Sequence, residues 1–578
     1  GAGLAGAGVT AFLATAVTHP SFESAAASAL VAELLDFAAA CRLNNATALV
    51  AESASASPPS VGVECALGTD VLEDRQEDFE SLAAAVPRFA SMLHAPEGDP
   101  YAPNIATPRS YAEAITGPYS SQWQAAMDAE MASWKSTGTY VDEVLPSGVN
   151  IVDGMWIFRV KRPPGSPPAF KANYVARGFS HRQGVDYIQT FSPTPKMTAL
   201  QVLLHVAAQR DYELHYLDFS TAFVQGSLHE EICQSTVSVR RLASGMTRRC
   251  FYALSLRTTL AALGFAPAAA DLSLCRRDTP ALTYTAQLSW LANHPGLSTA
   301  HHFLTQSHMV HQVLQRFGFQ FFLPQPTPLS TSHSLSAPPS DESVEPSGLY
   351  LELVGCLMYL MTCTRPDLAY PLSLLARYVA PGRHRKVHWD ATKRVLRYLC
   401  STSGMGLVLG GRGSIVLTGH ADASWVDDSA MQRSSHGYTF SLGSGFVSWR
   451  STRSSSDLSY SCEAEILAGA MAAQELRWLT YLLNDLGEQP CSPPVLYVDI
   501  KAMIALCQEH RLEHIAKHIA LRYFLARELQ QRGQLCLAYV ATRANTADVF
   551  TKALPPCDHQ RFVTVLGLVP TLPHLLTA

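Results

Sequence analysis

The 578-residue chain has no Cys-x-x-Cys pair among its 13 cysteines. That absence, with an odd and scattered set, argues against a structural zinc site and against a disulfide framework, and a reducing intracellular compartment is expected, cytoplasmic particle or nucleus. No run of about 18 strongly apolar residues occurs, so no membrane-spanning helix and no membrane partner are expected. An excess of bases is missing too: 43 Lys and Arg face 48 Asp and Glu, a net charge of −5. Binding of nucleic acid through bulk charge is thereby excluded, though a local basic patch is not. In the first hundred residues Arg42, Arg75 and Arg88 are the only strong bases, so that segment is not expected to hold phosphate backbones. The opening "GAGLAGAGVTAFLATAV" lacks an initiating Met and a basic n-region, which argues against a signal peptide and for a fragment of a longer reading frame.

What is present suffices for a sizeable core. The apolar fraction is 47%, and the length fits roughly three or four units. Residues 1–107 are Ala-rich and acidic and read as a linker, largely disordered, with one amphipathic helix at "LVAELLDFAAACRL". From 108 the patterning improves. Trp123, Met127 and Met131 recur every four residues, which is one helix face. "MWIFRVKRPPG" and "FKANYVARGF" flank a Pro/Gly turn and read as a hairpin. "TALQVLLHVAAQRDY" reads as a helix, followed by a strand that delivers Asp218 at its tip. Residues 325–348 form a Pro/Ser-rich linker, and 349–410 read as helices. From 411 to 565 the elements run β-β-β-α-β-α-β-α, a mixed sheet with helices packed on it, and 566–578 is a tail. The fold class expected is a multidomain mixture of α/β and α+β.

This last unit carries acids at four separate elements. Asp422 sits on its first strand, Glu465 near the start of the long helix, Asp499 at the end of an apolar strand, and Asp548 at a helix N-terminus. Singly, each has a plain structural reading. Asp499 reads as a helix cap, Glu465 as a partner of the helix dipole, Asp548 as a first-turn acid and Asp422 as a turn residue. Taken together, four acids converging on one end of a sheet make a site for hard divalent cations, Mg²⁺ or Mn²⁺. Two such ions serve phosphodiester hydrolysis.

Several stretches carry a resemblance. "ADASWVDD", "RSSHGYTFSLG", "SCEAEILAG", "LYVDIKAMIAL", "KHIALRYFLARE" and "ANTADVFTKAL" resemble the RNase H domain of copia-type LTR retrotransposon Pol polyproteins. "WIFRVKR", "FKANYVARGFSHRQGVDYIQTFSPTPKMTAL" and "YLDFSTAFVQGSLHEEI" resemble the reverse transcriptase of the same elements, and "LVGCLMYLMTCTRPDLAY" the segment joining the two. The resemblance spans roughly 108–565 with gaps. It implies degraded fingers and palm over 108–324, then an RNase H-like mixed five-stranded sheet. It makes Asp422, Glu465, Asp499 and Asp548 the RNase H carboxylates and metal ligands, and Asp218 the first, now vestigial, polymerase carboxylate. An RNA–DNA hybrid is the implied partner, with other Pol products as further partners. Lys171, Arg177, Lys501, Lys517 and Arg522 are candidate nucleic-acid contacts, as are Arg543 and Lys552.

The chain also departs from the family. No Tyr-x-Asp-Asp turn lies between Asp218 and the 325–348 linker, and the Gln-Ala-Pro segment is missing. The only "VDD", at Val426 to Asp428, reads as a surface turn inside the RNase H unit. Asn173 stands where the family usually has Arg, Ile500 where it has Asn, and Ile515 and Ala516 where it tends to have Arg and Thr. The expectation is a Pol remnant that cleaves RNA in hybrids and no longer polymerises. The alternatives are a non-catalytic nucleic-acid-binding remnant or a pseudogene product without function.

Overall fold

The computed structural model describes residues 107–136, 154–161, 168–176, 196–210, 301–332, 347–380, 383–411, 414–428, 433–443, 445–454, 461–508 and 525–570, with isolated residues and short strand segments elsewhere. The Ala-rich stretch and its expected helix lie outside the described residues, apart from Thr107 and the strand segments Phe12–Leu13 and Thr15–Val17.

The first packed unit is small. Helix α1 (Ser120–Ser136) buries Trp123 and Met127, one turn apart, as their spacing requires. Strands β1 (Gly154–Lys161) and β2 (Ala169–Ala176) pair antiparallel, with Phe158 opposite Ala172 and Arg159 opposite Lys171. Period-two alternation turns Phe158 and Val160 inward and leaves Met155 and Ile157 exposed. The indole of Trp123 meets Phe158 and Phe170 edge-on at 5.2 and 4.8 Å, the geometry the ring quadrupoles favour.

Helix α2 (Met197–Arg210) is apolar nearly all round, and every residue from Ala199 to Ala208 is buried. A helix of that kind needs cover on all sides. It finds it in the C-terminal half of the chain, where Val202, Leu203 and Val206 share one hydrophobic cluster with Leu417, Val447 and Leu476. Two of its buried polar side chains are matched: Gln201 donates to the Cys363 carbonyl at 2.9 Å, and the Gly410 N–H donates to His205 Nδ1 at 3.0 Å. Arg210 pairs bidentately with Glu488.

Strand β3 (His301–Thr305) and helix α3 (Ser307–Arg316) precede the connecting helices α4 (Ser347–Cys363), α5 (Ala369–Leu375) and α6 (Lys386–Ser401), and strand β4 (Met405–Gly410) follows. A buried ion pair holds this helical segment. Arg365 forks onto Asp367 at 3.0 and 2.7 Å, Tyr398 donates to the same carboxylate at 2.6 Å, and Arg365 also reaches the Thr402 carbonyl.

The mixed sheet is built from β5 (Leu417–Asp428), β6 (Arg433–Leu442), β7 (Gly445–Arg453), β8 (Val495–Val498) and β9 (Cys536–Tyr539), in spatial order β7-β6-β5-β8-β9. Strand β6 runs antiparallel to β5 and β7, whereas β8 and β9 run parallel to β5. This is the RNase H-like five-stranded mixed sheet. The long helix α7 (Ser461–Asp485) packs Leu476, Leu479 and Leu483 inward; just beyond it Leu486 is buried and Gly487 ends it at φ 75°. Helices α8 (Lys501–Gln508) and α9 (Pro556–Val565), a helical stretch at 525–531 and strand β10 (Leu568–Pro570) complete the unit, β10 closing a small antiparallel sheet β3-β4-β10.

Two expectations are corrected. Val426 to Asp428 belong to β5 rather than to a surface turn; Asp428 pairs with Arg433 after an irregular register beyond Ser424. The helix expected at "NTADVFTKAL" is a five-residue 3₁₀ turn, Thr546–Phe550, which Asn545 caps by accepting the Ala547 N–H. Pro555, the N-cap of α9, and Pro556, its first residue, keep the turn from running on into that helix. Among the described residues no helix is long and apolar enough to cross a membrane.

Candidate metal centre

Register brings the acids together. Ala421 of β5 pairs with Val498, the last residue of the parallel strand β8. The next residues, Asp422 and Asp499, therefore stand side by side where β8 ends. Helix α7 crosses β5 with Glu465 one turn in from its start, close enough for the Ala423 N–H to bond the Glu465 carboxylate. Asp422, Glu465 and Asp499 each place a carboxylate oxygen so that all three lie within 4.8 Å of one another.

The fourth acid adjoins this group through Asp422. Asp548 sits in the buried 3₁₀ turn, and Asn545 fastens that turn to the strand by donating to the Ala421 carbonyl at 2.9 Å. Thr551 donates its hydroxyl to Asp422 Oδ2, and Thr542 donates to Asp499 Oδ2 at 3.0 Å. Lys552 Nζ lies 2.9 Å from Asp548 Oδ1 and 3.7 Å from Asp422 Oδ2. The Asp548 oxygen it meets is buried.

The close approach of the turn depends on Gly437. It lies across from Asp422 in the β5–β6 ladder, and a Cβ there would meet Phe550 Cβ at 2.7 Å and Thr551 Cγ2 at 2.8 Å. A side chain at this position would lift off the turn that carries Asp548, Thr551 and Lys552.

Electrostatics follow from crowding. Burial, then the Asp548 and Asp499 charges, pushes Asp422 up to about 7 against the pull of Lys552. Burial and the charges of Asp422 and Asp499 push Glu465 up to about 9. Asp548 is raised as well, first by burial. Burial pulls Lys552 down, but Asp422 and Asp548 outweigh it and hold its ammonium charged. Like-charged acids this close resist ionisation until a cation neutralises them. The donor set is all oxygen, on three rigid elements, and suits a hard divalent ion. The residues present therefore fit such an ion at Asp422, Glu465 and Asp499.

A family model described as reverse transcriptase (RNA-dependent DNA polymerase) matches residues 137–240. The retrovirus-related Pol polyprotein from transposon RE2 of Arabidopsis thaliana is 31% identical over 530 residues, covering 82% of this chain and 36% of that protein. Its counterpart from transposon TNT 1-94 of Nicotiana tabacum is 30% identical over 511 residues, covering 78% of this chain and 38% of that protein. The chain belongs to the copia-like Pol family. This Pol segment spans little more than a third of the length of those curated relatives. Among solved structures, RNase H1 from Halobacterium salinarum NRC-1 aligns with 23% of this chain and 93% of its own, at 15% identity and a TM-score of 0.18.

The other candidates of the Pol segment fall in four groups. Asp218, Arg177, Lys517, Arg522, Ile515 and Ala516 lie outside the described residues. Lys171 stands on the β1–β2 hairpin opposite Arg159, where its charge acts on Glu130 of α1; Asn173 is half-buried on the same strand. Lys501 is exposed, its ammonium 5.0 Å over the Tyr539 ring, and Arg543 is exposed one residue after Thr542. Ile500 packs against the main hydrophobic cluster, which accounts for an apolar side chain beside Asp499. Sequence reading missed Thr551 and Thr542 as partners of the acids, and took Lys552 only as a phosphate contact. The signal for Lys552 was its place four residues after Asp548, one helical turn.

Proposed function

We propose that this Pol segment cleaves the RNA strand of RNA–DNA hybrids at the Asp422–Glu465–Asp499 cluster and does not polymerise DNA. The observation that carries the reading is the convergence of three carboxylates from β5, α7 and the end of β8 within 4.8 Å. Asp422, Glu465 and Asp499 would hold Mg²⁺ or Mn²⁺, with Asp548 adjoining. When bound, a divalent ion supplies neutralisation of phosphate charge and an activated water. Thr551 and Thr542 hold the Asp422 and Asp499 carboxylates in fixed orientation, so the site is organised before substrate arrives. Exposed Lys501 and Arg543, near Asp499 in sequence and by the Thr542 contact, offer charge to the phosphates of a hybrid read by shape and 2′-hydroxyls.

The polymerase half of the proposal rests on the sequence. Phosphoryl transfer in a palm is largely positioning plus charge stabilisation, and one aspartate cannot position two ions. Asp218 has no Tyr-x-Asp-Asp partner in this chain.

The test uses the full chain with Mg²⁺ and a hybrid labelled on either strand, beside a primer-extension assay on an RNA template. The expected result is cut RNA, intact DNA and an unextended primer. An extended primer, or an intact RNA strand with folded protein, overturns the corresponding half.

A further inference from the structure

Lys552 does more than cover a surface acid. An i,i+4 pair on an exposed helix contributes little and touches one partner. Here the ammonium reaches two carboxylates on two elements, both nearly devoid of solvent exposure: Asp548, 9% exposed, and Asp422, 1% exposed. The lysine itself keeps 35% exposure, so its flexible stem has an open path out.

Asp422 takes part in two groupings, one with Glu465 and Asp499 and one with Asp548 and Lys552, whose charge also reaches Glu465 and Asp499. On one side it shares a cation-sized space with Glu465 and Asp499. On the other it faces Asp548, and there the ammonium of Lys552 already sits. The Asp548 oxygen that meets Nζ is buried.

We propose that Lys552 is the built-in counter-ion of the Asp422–Asp548 side, confining the substrate-free protein to a single divalent ion, held by Asp422, Glu465 and Asp499. A second ion on the Asp548 side enters only when Nζ withdraws along its open path. The proposal rests on reading the acids as a metal site. It makes Lys552 a positioning residue that acts through Asp422 and Asp548.

Mn²⁺ binding to the full chain, followed by electron paramagnetic resonance, tests it without reference to cleavage. Wild type is expected to take up one ion per chain, and Asp499→Asn to lose it. Lys552→Met is expected to bind a second ion, or to bind the first about tenfold more tightly, since removing a nearby positive charge favours a cation. Lys552→Arg, which keeps the charge, is expected to behave as wild type. If Lys552→Met does not fold, Lys552→Gln carries the same expectation. Equal Mn²⁺ stoichiometry and affinity in wild type and the neutral variant overturn the counter-ion role and leave the metal site standing. Absence of Mn²⁺ from both overturns the metal site, and the proposal with it.

Discussion

Thr551 donates its hydroxyl to Oδ2 of Asp422, a residue 129 positions earlier in the chain. That bond ties the 3₁₀ turn to the central strand and lowers the cost of ionising Asp422. Thr551→Val keeps the shape and removes the donor. It is expected to cost about 1–3 kcal/mol, as leaving a buried acceptor without its partner does, and to shift Mn²⁺ binding to higher pH. Urea denaturation and Mn²⁺ titration at several pH values measure both. Unchanged stability and an unchanged binding profile would refute the linkage.

Gly437→Ala tests the same junction from the strand side. The added methyl meets Phe550 and Thr551 closer than carbon atoms approach, and overpacking of this kind costs about 1–3 kcal/mol. The variant is expected to lower the melting temperature and weaken divalent-ion binding together. A variant as stable as wild type would show that the turn does not depend on this approach.

The acids give a pH dependence of definite sign. Asp422 and Glu465 are raised in the folded state, to about 7 and about 9, chiefly by burial. Folded protein therefore binds more protons than unfolded protein between the ordinary carboxylate range and those values. In chelator, this contribution to stability is full below about pH 4 and is lost as pH rises towards about 9. Divalent ions bind the ionised acids, so the stabilisation by Mg²⁺ is expected to grow over the same window. Melting curves with Mg²⁺ and with chelator across that range check it. A Mg²⁺ increment independent of pH would contradict the account.

The organisation of the mixed sheet was legible in the sequence because its signals are local. The strand that carries Asp422, the apolar run before Asp499, the leucine face of α7 and the stop at Gly487 each lie within one element, whereas the extension of that strand through Val426 to Asp428 was read as a turn. The four acids were legible for the same reason, each at an element's edge. The register that sets Asp422 beside Asp499 was not, since a parallel pairing leaves no mark in either strand alone. Nor was the burial of α2: its all-round apolar pattern announced cover, but the partners Val447 and Leu476 lie more than two hundred residues away.

That burial has a consequence for fragments. Leu203 of α2 is 1% exposed within the cluster that also holds the sheet. Leu203→Ala is expected to destabilise the RNase H-like unit by about 2–5 kcal/mol, and a fragment of 411–565 is expected to melt below the full chain. Coincident melting of fragment and full chain would show that α2 contributes nothing to the unit.

The buried pair of Arg365 and Asp367 gives a further check. Each side chain is at most 1% exposed, and removing one member leaves an uncompensated charge. Arg365→Leu is expected to cost about 3–5 kcal/mol. The double variant Arg365→Leu/Asp367→Leu, which buries no lone charge, is expected to cost less. Denaturant titration of both variants decides, and a double variant worse than the single one would contradict the reading.

The most direct measurement is cleavage of a labelled RNA–DNA hybrid by the full chain in Mg²⁺, wild type beside Asp499→Asn. The substitution removes one ligand charge and keeps the size of the side chain. The account expects RNA cleavage by wild type and its loss in a variant that still melts cooperatively. Cleavage that persists in Asp499→Asn, or none by folded wild-type protein, would contradict the assignment of the three-carboxylate cluster as a hydrolytic centre.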